Sequence, residues 1–113
     1  MTRPVILFAL LFFVLTARAH SPLSSTAPTN GAVVDSVPLA VSLTFKRLFR
    51  LTRVTSTVAD TPAEKLDISH IDDFARSFEL PLVSKGAGTY RIEWRGLGED
   101  GHVQKGHFSF TVQ

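Results

Sequence analysis

The chain has 113 residues, a formal net charge of +2, no cysteine and one methionine, Met1. The length allows one domain with a modest core, and the missing cysteines exclude disulfides and thiolate metal sites. Arg3 and Arg18 account for the charge surplus: residues 20–113 carry ten Lys and Arg against ten Asp and Glu, which leaves no excess for phosphate binding and excludes nucleic acid as a partner.

The N-terminus reads as an export signal. Arg3 supplies a basic start, Val5–Val14 is an unbroken apolar run, and Ala17-Arg18-Ala19 is a small-x-small cleavage site. The run is short for a transmembrane span, which needs about 20 apolar residues, although an uncleaved anchor is the competing reading. Cleavage after Ala19 divides the chain into a signal peptide, 1–19, and a mature domain, 20–113, that begins at His20.

From His20 to Ala32 the composition is Ser, Thr, Pro, Asn and Gly, with Asn30-Gly31 the clearest turn. Short alternating runs follow. Val41, Leu43 and Phe45 alternate with Ser42 and Thr44; Leu51–Val58 is rich in β-branched residues. Phe78, Leu80 and Leu82 alternate next, with Pro81 marking an edge strand or bulge. Tyr90, Ile92 and Trp94 alternate with Arg91, Glu93 and Arg95, and Phe108, Phe110 and Val112 with His107, Ser109 and Thr111. Ala63–Phe74 is ambiguous between a helical turn and an irregular loop. The pattern predicts an all-β fold, a small antiparallel β-sandwich or barrel.

Motifs for catalysis are missing. There is no G-x-S-x-G elbow, no H-E-x-x-H, no Gly-rich phosphate loop and no cysteine nucleophile, so no enzymatic activity is expected. Lys46, Arg47, Arg50 and Arg53 read as a solvated face rather than an anion site. His70, near Asp72 and Asp73, reads as a loop histidine, and His107, opposite in parity to Phe108, as a solvent-facing one.

Asp100-Gly101-His102 is more informative. In extended chain, residues i and i+2 point the same way, so a carboxylate and an imidazole can converge, and Gly101 permits a tight turn. Alone, D-x-H is also a common surface turn. Cleavage after Ala19 adds two donors, because the α-amine and imidazole of His20 can chelate one cation. With Asp100 and His102 they form a set of three nitrogens and one oxygen, which suits Cu(II) or Ni(II), Cu(II) standing highest in the affinity order. Pro22 has no N–H for copper to displace, so the folded domain must bring the remaining ligands.

The run "HSP" after A-x-A, then "PTNGAVVDSVPLAVSLTF", "AGTYRIEWRGLGEDGH" and "GHFSFTV" resembles the CopC family of bacterial copper-resistance proteins. The match is good at both ends and poor over residues 46–84. The resemblance implies a periplasmic Greek-key, immunoglobulin-like β-barrel or sandwich. It implies Cu(II) ligation by His20, Asp100 and His102, and transfer to an inner-membrane permease of the CopD type by a monomer that buffers or carries copper. The Met-rich Cu(I) site of some members cannot carry over, since residues 20–113 contain no Met. Val103 stands where members usually have Pro. Two alternatives remain: an exported immunoglobulin-like binding module without metal, and a copper-dependent oxidase of the N-terminal-histidine type, in which Asp100 would occupy a position that oxygen chemistry needs open.

Overall fold

The computed structural model describes residues 21–113; the expected signal segment and His20 lie outside them. These residues form seven strands: β1 (Leu23–Ala27), β2 (Val33–Val34), β3 (Ala40–Val58), β4 (Glu64–Lys65), β5 (Ala75–Pro81), β6 (Gly88–Gly98) and β7 (Val103–Val112). No helix occurs among them, so none is long and apolar enough to cross a membrane. The all-β expectation is met.

The strands make one curled sheet in the order β1-β3-β6-β7-β2, with β4 and β5 also pairing with β3. All pairings are antiparallel except β2 with β7, where Val33 and Val34 run parallel to Thr111 and Val112. The Asn30-Gly31 turn makes that contact: Gly31 has φ +83°, its N–H donates to the Ser109 carbonyl at 2.7 Å, and the Asn30 side chain accepts from the Ser109 N–H at 3.0 Å.

β3 organises the sheet. Its first half lies between β1 and β5, and its second half pairs with β6 and β4. The two runs read separately in the sequence, Val41–Phe45 and Leu51–Val58, are one continuous strand with two irregularities. Register shifts between Thr44 and Phe49 against β5, and between Leu51 and Arg53 against β6. The second adds a residue, so inward positions change from 41, 43, 45, 49 and 51 to 54, 56 and 58. Thr52 Oγ1 donates to the Arg95 carbonyl at 3.0 Å there. Ala63–Phe74, ambiguous in the sequence, contains only the two-residue β4 and turns. Pro81 ends β5, an edge strand, as a missing N–H requires.

The core is the inner face of this curl: Val41, Leu43, Phe45, Phe49, Tyr90, Ile92, Trp94, Phe108, Phe110 and Val112, with Phe78 and Leu80 from β5. Phe45 stacks on Phe49 at 4.1 Å and meets Phe78 and Trp94 edge-on at 5.8 and 5.3 Å. Tyr90 is fully buried, yet its hydroxyl donates to the Gly86 carbonyl at 2.7 Å and accepts from the Lys85 N–H at 2.9 Å. Its burial therefore carries no unpaired polar group.

Candidate metal centre

Asp100 and His102 sit in the turn joining β6 to β7. The Gly101 N–H donates to the Gly98 carbonyl at 3.0 Å, the Gly98 N–H donates to the His102 carbonyl at 3.1 Å, and Gly101 has φ +80°. This is a three-residue hairpin loop closed by a left-handed residue, a conformation glycine adopts without steric cost. Extended backbone is what the D-x-H spacing predicts for bringing the two side chains together. The turn does it instead, because Asp100 Oδ1 accepts the His102 N–H at 3.0 Å and so turns the carboxylate toward the ring.

The result is close. Asp100 Oδ2 lies 2.7 Å from His102 Nδ1. Two ligands at right angles on one ion, each about 2.0–2.2 Å from it, stand about 2.8–3.1 Å apart. A metal replacing the shared proton needs the donors to separate by only a few tenths of an ångström. Both side chains face solvent, His102 at 82% and Asp100 at 61% exposure. Such an exposed pair contributes little to folding and is open to a ligand. The His102 backbone N–H, and after it the His102 ring, hold the Asp100 carboxyl below the usual carboxylate range, so the oxygen donor is available as an anion.

The sheet brings the start of the described chain to the same place. β1 runs antiparallel to β3, with Leu23 opposite Phe45, and the Lys46 N–H donates to the Pro22 carbonyl at 2.9 Å. Going back from Leu23 therefore means going forward along β3, toward Phe49, which pairs with Gly98 at the end of β6. Ser21, Pro22, Glu99 and Asp100 accordingly line one cleft of about 330 Å³, walled by Phe45 to Phe49. His20 is the next residue and lies outside the described part of the chain.

Among the described residues, no group of three or more His, Cys, Asp or Glu side chains converges on a point. Asp100 and His102 thus offer two donors, and completion of the set falls to a further group. His70 is exposed, its Nε2 3.4 Å from the Glu79 carbonyl oxygen, and forms no such group with Asp72 or Asp73. His107 is exposed on the outer face, as strand parity predicted. What sequence reasoning missed is the wall of the cleft, where Lys46, Arg47 and Leu48 form an exposed irregular stretch. A signal was present: Arg47 occupies the inward parity shared by Phe45 and Phe49, and an arginine there marks a break in the strand.

Comparison with known proteins bears on the family and the fold. The family model described as "CopC domain" matches residues 23–113. Copper resistance protein C of Xanthomonas campestris pv. juglandis is 28% identical over 118 residues, covering 96% of this chain and 92% of that protein. The crystal structure of CopC from Methylosinus trichosporium OB3b superposes with a TM-score of 0.62 at 22% identity, over 83% of this chain and 94% of that one; it supports the fold. PcoC from Escherichia coli, described as a methionine-rich copper resistance protein, superposes with a TM-score of 0.56 at 26% identity, over 80% and 96%. This chain has no methionine after Met1.

Proposed function

Because this chain belongs to the CopC family, we propose that it is an exported, periplasmic Cu(II)-binding protein, a monomer that buffers or carries copper and passes it to an inner-membrane permease of the CopD type. The ion is held by the amine and imidazole of His20, the Asp100 carboxylate and the His102 imidazole. The observation that carries the reading is the Asp100–His102 pair at 2.7 Å on a turn whose cleft also contains Ser21, the residue after His20.

Donor chemistry favours Cu(II). Three nitrogens and one carboxylate oxygen suit a tetragonal ion, and no soft sulfur ligand remains to favour Cu(I). Copper here is cargo, and the chain's residues hold it and release it. Exposure of both described donors allows a partner to approach the ion directly.

The test is a titration of protein whose first residue is His20. One Cu(II) should bind with a tetragonal EPR signal showing nitrogen coupling. One residue added ahead of His20 turns the amine into an amide and should weaken binding at least a hundredfold. Equal affinity in the extended protein would remove His20 from the ligand set, and unchanged affinity in His102→Ala would remove the site as drawn.

A further inference from the structure

The outer face of β3, β6 and β7 carries the charge that the chain as a whole lacks. Cross-strand register sets Arg50, Leu97 and Val103 in one row; Arg53, Arg95 and Lys105 in the next; then Thr55, Glu93 and His107; then Thr57, Arg91 and Ser109. Arg50, Arg53, Arg91, Arg95 and Lys105 are all exposed, and the face has one carboxylate, Glu93, paired with Arg91 at 2.9 Å. The other described residues carry five cations and nine carboxylates. The domain is therefore close to neutral in sum and strongly polarised in space.

The row Arg53–Arg95–Lys105 places three like charges directly opposite one another, about 5 Å apart from strand to strand. That arrangement disfavours the sheet, and among the described residues no carboxylate pairs with any of the three. Together with Arg91, Glu93 and His107 they line an open cleft of about 520 Å³.

We propose that this face docks on the anionic headgroups of a lipid bilayer. A protein partner needs a desolvated anchor of aromatic or large apolar side chains at the centre of its interface. Here the central rows hold only charged side chains, His107, threonines and Ser109, while the apolar Leu97 and Val103 lie at one end. Trp94 also lines the cleft but is only 3% exposed, so the accessible surface is one of long flexible cations, which match a fluid layer of phosphates bound by charge alone. The docked orientation has a consequence for the turn above. Lys105 is three residues from His102, about 10 Å along a strand, so the Asp100–His102 turn is held at the membrane surface. The inference does not depend on which ion that turn binds.

The test is co-sedimentation of the 20–113 protein with vesicles of pure phosphatidylcholine, and with vesicles in which roughly one lipid in three is phosphatidylglycerol. Binding is expected only to the anionic vesicles and should vanish near molar salt, where the screening length is about 3 Å. Arg95→Gln with Lys105→Gln should lower the partition coefficient about thirtyfold. Arg76→Gln with Lys85→Gln, an equal charge change off this face, should lower it less than threefold. Absence of binding to anionic vesicles overturns the proposal. So does an equal loss in the two double variants, which would reduce the effect to net charge, or tighter binding to polyglutamate than to vesicles, which would make the partner an acidic protein. Trp94 fluorescence melts of each variant verify that the fold is intact.

Discussion

The indole of Trp94 occupies the space that a side chain at position 106 would need. A methyl group built on Gly106 would stand 2.8 Å from Trp94 Cε2 and closer still to Cζ2. Gly106 lies directly opposite Trp94 across β6 and β7, and the ring is 97% buried. Gly106→Ala should therefore destabilise the domain by about 1–3 kcal/mol, the usual cost of overpacking. Trp94 is the sole tryptophan, so its emission reports both the disturbed packing and the urea midpoint. An unchanged midpoint would mean that the ring moves aside freely.

Phe45 is the hub of the aromatic core, touching Phe49, Phe78 and Trp94 and fully buried. Phe45→Ala should cost about 3–5 kcal/mol, a large share of a typical stability of about 5–15 kcal/mol. With no cysteine in the chain, no cross-link limits the unfolded state. Trp94→Phe should cost less than Phe45→Ala, because it keeps an aromatic ring in the core and gives up only part of the buried volume. Thermal or urea unfolding of the two variants side by side, followed by circular dichroism, decides the order.

Asp100→Asn separates two roles for the carboxylate. The amide oxygen can still accept the His102 N–H and hold the turn, but it is a poor ligand for Cu(II). As a ligand, Asp100 should lose at least a hundredfold in copper affinity on this change, with melting temperature unaltered. An orienting partner of His102 costs about ten- to a hundredfold when removed. A competition titration showing under tenfold loss would make Asp100 dispensable to binding.

The pH dependence follows from the same hydrogen bonds. Asp100 has its folded pKa lowered by the His102 N–H and ring. Its contribution is present above the unfolded value, about 3.9, and is lost as pH falls through the folded one. Proton competition between pH 8 and 5 therefore falls to the nitrogen donors of the proposed set. Copper affinity should fall steeply across this range, and Asp100→Asn should be weaker at every pH with the same slope. A slope changed by a full proton would contradict this.

Strand parity made most of the core legible in the sequence. Phe108, Phe110 and Val112 inward and His107 outward follow from a period of two, and the structure agrees at each position. β3 was less legible. Its parity shift after Leu51 comes from one extra residue, which the β-branched run hides because both of its faces look alike. The parallel contact of β2 with β7 had no local signal, since two residues of β2 meet residues almost eighty positions later.

At the candidate site the division is sharper. Donor identity belongs to the sequence: the chain has no thiol and no methionine after Met1, so only nitrogen and oxygen ligands are available, and the D-x-H spacing marks two candidates. Their convergence belongs to the tertiary structure. Gly101 in the left-handed region and the Asp100–His102 backbone hydrogen bond bring these two side chains together, and the antiparallel pairing of β1 with β3 sets Ser21 and Pro22, at the start of the described residues, in the same cleft as Asp100. Residue type sets which metal chemistry is available, but segments remote in sequence come side by side only where the strands carrying them pair with a shared neighbour, as β1 and β6 do with β3.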